Sequence, residues 1–109
     1  MVEFVQSRPF TSRLDNLAKG EADDVLMNIE NDLLQNPERG ALIQGTGGVR
    51  KSRVGDPSRG KGKRGGFRYM YYYIERDEQI LLLLIFGKDE QDDLTADQKK
   101  WLRENRGNL

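Results

Sequence analysis

The sequence predicts an α+β protein: a small antiparallel sheet with helices packed on one face, in the order β-α-α-β-β-β-α. Three observations predict it. Two amphipathic helical patterns fill most of the first 40 residues. Three strand-like stretches then follow one another without an intervening helix, which favours antiparallel pairing. A capping signature at Thr95 opens one last helix.

The chain opens with an alternating segment, Val2 to Gln6, that reads as an edge strand. Ser7 is an N-cap candidate, and Pro9 is tolerated in a first helical turn. Phe10, Leu14, Leu17 and Ala18 make the apolar stripe of that helix, which Gly20 closes. A second helix is expected from about Glu21 to Gln35, with Val25, Leu26, Ile29, Leu33 and Leu34 recurring at three- and four-residue steps. Its first turn holds Glu21, Asp23 and Asp24, where the helix dipole favours acids, and Asn36-Pro37 stops it.

Gly40 to Gly48 reads as a glycine-rich connection and Val49 to Val54 as a strand. Gly55 to Gly66 is a loop of Gly, Pro, Ser and cations. Phe67 to Ile74 is a strand on whose faces Arg68, Met70 and Tyr72 alternate with Phe67, Tyr69, Tyr71 and Tyr73. The latter tyrosines are expected in the core beneath the helices. Glu75 to Glu78 makes a polar turn into the strand Gln79 to Phe86, which is apolar on both parities and therefore central. Thr95 and Gln98 match a capping box, and the helix they open directs Trp101 and Leu102 at the core.

With 109 residues, the chain is expected to form a single domain, 1–109, with one modest core. The absence of cysteine excludes disulfides and thiolate metal sites, which fits a cytoplasmic protein. The absence of histidine removes the commonest general base and the commonest zinc ligand, so any catalysis must run on Lys, Arg, Tyr or carboxylates, and no metal or cofactor is expected. MVEFVQSRPF is too short and polar for a signal segment, and the apolar run Ile80 to Phe86 is too short to cross a membrane.

Formal charge is zero overall, yet Gly45 to Arg68 carries eight cations against one acid, Asp56. Such segregation marks either a solvated basic loop or an anion site, most naturally for a nucleic-acid backbone. Two familiar motifs fail on context. Gly55 to Lys61 approaches a phosphate loop, but Gly62 stands where a magnesium-binding Ser or Thr is needed and a strand follows instead of a helix. Gly62-Lys63-Arg64-Gly65 fits a GXXG clamp, but between strands rather than helices.

A spatial constellation is more informative. Lys51 and Arg53 share one face of their strand by period two. Arg68 opens the next strand and Lys88 follows the last, so antiparallel pairing brings them to one end of the sheet. These four are the catalytic candidates, for Lys88 beside the alternative of an ion pair with Asp89, Glu90 or Asp93. Arg50, Arg59, Lys61, Lys63, Arg64 and Tyr72 are candidates for contact with an RNA backbone.

The segments IQGTGGVRKSRV, GKGKRGGFRYMYYYI and LLLLIFGKDEQDDLT resemble the RelE/HigB superfamily of type II toxins, the HigB branch most closely. The resemblance spans nearly the whole chain. It implies a microbial-ribonuclease-like fold, cleavage of mRNA in the ribosomal A site, contact with rRNA, and neutralisation by a cognate antitoxin, expected to be of helix-turn-helix type. The family's basic sheet residues correspond to Lys51, Arg53 and Arg68, and its lysine after the Phe/Tyr-Gly turn to Lys88. Where some members carry an arginine and a tyrosine further on, this chain has Asp89 and Thr95.

RNA can be cut by its own 2′-hydroxyl attacking the adjacent phosphate. The expected division is proton transfer by Lys51 or Lys88 and phosphate holding by Arg53 and Arg68, because neighbouring cations disfavour a lysine's protonated form. Two competing readings use the same patch: a non-catalytic RNA- or ribosome-binding module, and an interaction protein whose basic cleft receives an acidic or helical partner.

Overall fold

The computed structural model describes residues 1–57, 66–87, 89–91 and 93–107. Its elements are β1 (Glu3–Gln6), α1 (Arg8–Ala18), α2 (Ala22–Gln35), β2 (Ala41–Leu42), β3 (Arg50–Val54), β4 (Phe67–Ile74), β5 (Gln79–Gly87) and α3 (Ala96–Asn105), with a 3-10 turn, Glu75–Asp77, between the last two strands. The strands form one sheet in the order β1-β5-β4-β3-β2. The α+β class and the helical hairpin ahead of the main strands are as the sequence predicts.

Local chemistry explains the boundaries. The Ser7 hydroxyl accepts the Phe10 N–H at 3.1 Å and starts α1, and Lys19 ends it in the left-handed region. The capping box of α3 is complete: Thr95 Oγ1 accepts the Gln98 N–H at 3.1 Å, and Gln98 Oε1 accepts the Thr95 N–H at 2.9 Å. The β3–β4 connection brings Gly66 so close to β3 that a Cβ there would lie 1.9 Å from the Val54 carbonyl oxygen. Only glycine fits that approach.

Three details differ from the expectation. First, β1 runs parallel to β5, pairing Glu3 to Gln6 with Gln79 to Leu82. Parallel neighbours need a long crossover, and everything between the two strands supplies it. Second, the glycine-rich connection contains β2, whose Ala41 and Leu42 pair with Lys51 and Arg50. The turn after it needs positive φ at Gly45, Gly47 and Gly48, and Thr46 braces it by donating to the Ile43 carbonyl at 2.7 Å.

Third, the helices do not share one face. Phe10, Leu14, Val25, Ile29 and Leu33 of α1 and α2 pack on Tyr69, Tyr71, Ile80, Leu82 and Ile85. Leu102 and Trp101 of α3 pack on the other face with Val49, Met70, Leu81, Leu83, Leu84 and Phe86. A strand apolar on both parities requires cover on both sides, and α3 is that second layer. Tyr71 anchors the helical side, donating to the Pro37 carbonyl at 2.8 Å and accepting the Gly40 N–H at 3.0 Å. Burial raises the phenol of Tyr71, and pushes that of Tyr69 up to about 12 against the pull of its neighbour Ser52.

Candidate functional site

The described residues cover the α3 side of the sheet only in part. Beside α3 lies a cleft of about 710 Å³, within the range of small-ligand sites. Register builds its sheet wall. Lys51 pairs with Met70, Arg53 with Arg68, and Arg68 with Phe86, so all five side chains project to one face. Lys51, Arg53 and Arg68 line one wall, and Met70 and Phe86 form the apolar floor. Gln91, Asp93, Leu94 and Lys99 make the opposite wall, and Ala41 to Gln44 the rim.

Three of the four catalytic candidates therefore meet in one cavity. Arg53 and Arg68 are direct cross-strand partners. Like charges directly opposite one another across a strand pair repel. Arg68 is half-buried and Arg53 exposed. Among the described residues, Lys51 and Arg53 belong to no ion pair, whereas Arg13, Arg39 and Arg50 each hold an acid.

A tie from the other side of the molecule steadies the cleft. β1 covers the edge of β5 only as far as Leu82. Beyond it, Ser7 N–H donates to the Leu82 carbonyl at 2.9 Å and Ser7 Oγ to the Leu83 carbonyl at 2.6 Å. Arg13 Nε donates to the Ile85 carbonyl at 2.7 Å. The Arg13 guanidinium then lies 4.9 Å from the centre of the Phe86 ring and binds the Glu90 carboxylate. The other oxygen of Glu90 accepts the Gly87 N–H at 2.8 Å. Burial alone would raise the Glu90 carboxyl, but the Gly87 N–H, Arg13 and, further off, Arg68 outweigh it and hold it below its ordinary value.

The other candidates separate. Arg50 points to the helical face, opposite Tyr71, and donates to the Glu38 and Gly40 carbonyls at 3.0 and 2.8 Å. It ties the chain entering β2 to β3. Tyr72 shares the face of Met70 but is not among the residues lining the cleft; the Arg106 guanidinium covers its ring at 5.6 Å. Lys88, Arg59, Lys61, Lys63 and Arg64 lie outside the described residues.

Sequence reasoning missed the second wall, Lys99 above all. A signal existed: Leu102 faces the sheet, and a helical residue three positions earlier lies on the same side.

Fold and cleft together define a small α+β protein that presents cations from its central strands beneath a C-terminal helix. No protein-family model matches the chain. Solved structures do match. The isolated E. coli RelE toxin aligns at a TM-score of 0.57 and 15% identity, over 94% of this chain and 99% of that one. A chain of the intact E. coli RelBE toxin–antitoxin complex aligns at 0.58 and 15%, over 84% and 100%. A chain of the archaeal RelE–RelB complex from Pyrococcus horikoshii OT3 aligns at 0.54 and 17%, over 83% and 98%. The chain thus has the RelE-type fold.

Proposed function

We propose that the chain is the toxin of a type II toxin–antitoxin pair in the RelE/HigB superfamily, of the HigB branch, and that it is a metal-independent endoribonuclease cutting mRNA in the ribosomal A site. The observation that carries this is the convergence of Lys51, Arg53 and Arg68 on one cleft of a RelE-type fold. The matched RelE structures include complexes with an antitoxin, which supports an antitoxin as partner here.

The chemistry follows from the wall. The 2′-hydroxyl gives its proton to a base, for which Lys51 is the candidate in the described cleft. The O2′–P bond forms as the P–O5′ bond breaks, and the departing 5′-oxygen takes up a proton. The products are a 2′,3′-cyclic phosphate and a 5′-hydroxyl. Negative charge builds on the non-bridging oxygens in between, and Arg53 and Arg68 supply fixed cations there. Zero net charge leaves little non-specific pull on free RNA, which agrees with a substrate presented by the ribosome.

The test is primer-extension mapping of a translated mRNA after induction of the protein, with Arg68→Gln at equal protein level beside it. Defined cuts by the wild type, reduced by about 10²-fold or more in the variant, support the assignment. Binding to ribosomes or RNA without cuts makes the protein a non-catalytic module.

A further inference from the structure

We propose that Lys99 builds a second phosphate subsite on the helical wall of the cleft, holding the RNA backbone at a phosphodiester next to the one bound by Arg53 and Arg68. The subsite presupposes that the cleft takes RNA and adds a binding residue from α3, a part of the fold that the sheet-based site does not use.

Four observations converge on it. Lys99, carried by α3, lines the same cleft as the sheet residues Lys51, Arg53 and Arg68. It is half-buried, whereas Lys100 beside it in sequence is exposed and does not line the cleft. Among the described residues Lys99 belongs to no ion pair, although Asp93 lies on the same wall. A backbone entering the cleft is therefore drawn toward Lys99 and kept off Asp93. The helix turn that carries Lys99 is also held rigidly. Besides the capping box, Gln91 Nε2 donates to Gln98 Oε1 at 2.8 Å and Gln98 Nε2 to Gln91 Oε1 at 3.2 Å.

Helix stability does not explain the lysine. The amino end of a helix carries partial positive charge, so a cation near it is disfavoured. A phosphate is favoured in the same place, so dipole and ammonium act together on the ligand. The competing explanation is packing, with the aliphatic stem lying on Leu94 and Met70 and the ammonium merely solvated. Lys99→Met separates the two, because it keeps the stem and removes the charge.

The experiment measures binding of a short 2′-O-methyl RNA, whose blocked 2′-oxygen prevents cleavage, by fluorescence anisotropy across a salt series. Each phosphate neutralised on a single strand contributes about 0.7 to the slope of log affinity against log salt. Lys99→Met should reduce that slope by about 0.7, Lys99→Arg should retain it, and Lys100→Met should leave it unchanged. In the cleavage assay Lys99→Met should raise KM several-fold while kcat holds. A wild-type slope in Lys99→Met overturns the subsite. So does an equal loss in Lys100→Met, or no measurable binding by the wild type at low salt. Cuts in mRNA with an unchanged slope would remove the subsite and leave the ribonuclease. The slope change without any cuts would keep the subsite and remove the ribonuclease.

Discussion

Replacing Arg53 with threonine should make the protein more stable and less active at once. Arg53 and Arg68 face each other directly across β3 and β4. Like charges in that position cost roughly 0.2–1 kcal/mol. Coulomb's law agrees: two unit charges about 5 Å apart in a water-like dielectric repel by ~0.8 kcal/mol. Threonine also suits a strand better than arginine does, on a face open to solvent. Arg53→Thr should therefore gain about 0.5–1 kcal/mol, read as a rise of roughly 2–6 °C in the thermal midpoint. Because Arg53 is exposed, the gain should shrink in 1 M salt, where the Debye length is about 3 Å. In mapped-cleavage assays the same variant should lose about 10²-fold or more in rate. A variant less stable than wild type by more than ~0.5 kcal/mol, or a gain indifferent to salt, would refute the idea that the cleft holds its cations against the preference of the sheet.

Two further predictions concern the scaffold. Ser7→Ala removes the N-cap of α1, worth ~1 kcal/mol, and leaves the Leu83 carbonyl without its hydroxyl donor, worth a further ~1–3 kcal/mol. Urea unfolding should register a loss of about 2–4 kcal/mol, and a loss below ~1 kcal/mol would mean that water replaces the hydroxyl. Glu90 has a lowered carboxyl pKa, so its contribution to stability is present above the ordinary value of 4.5 and disappears as pH falls through the folded value. Glu90→Gln should flatten the acid limb of the stability–pH curve, and an unchanged limb would show that the Arg13–Glu90 contact adds nothing in solution.

The parts of the site that sequence disclosed are those that depend on period alone. Lys51 and Arg53 share a face in any strand, and the β3–β4 register then sets Arg68 directly opposite Arg53. What period cannot encode stayed hidden. The pattern of α3 announced an apolar side but not which face of the sheet would receive it, and Lys99 was missed with it. Two residues of β2 are too few to show alternation. The direction of β1 depends on where the intervening chain travels.

The most consequential feature of this hidden class is a bulge in β5. Met70 pairs with Leu84 and Tyr71 with Leu82, so Leu83 has no partner of its own. Ile80 and Leu82 accordingly pack under α1 and α2, but Leu84 and Phe86 pack on the opposite face and Ile85 takes the place beneath the helices. An unbroken strand would have kept Phe86 in step with Leu82, turning it away from Arg68. The single extra residue is what gives the cleft its aromatic floor. In a run such as ILLLLIF both parities are apolar, so a one-residue flip leaves no trace in the pattern. The structure marks the flip by its consequences instead: the carbonyls of Leu83 and Ile85 fall to Ser7 and Arg13, and Arg13 reaches on to Phe86 and Glu90. The N-terminal helix is thereby fastened to the floor of a cleft on the far side of the sheet. Substitutions at Ser7 or Arg13, neither of which lines the cleft, should therefore disturb its chemistry as well as the fold.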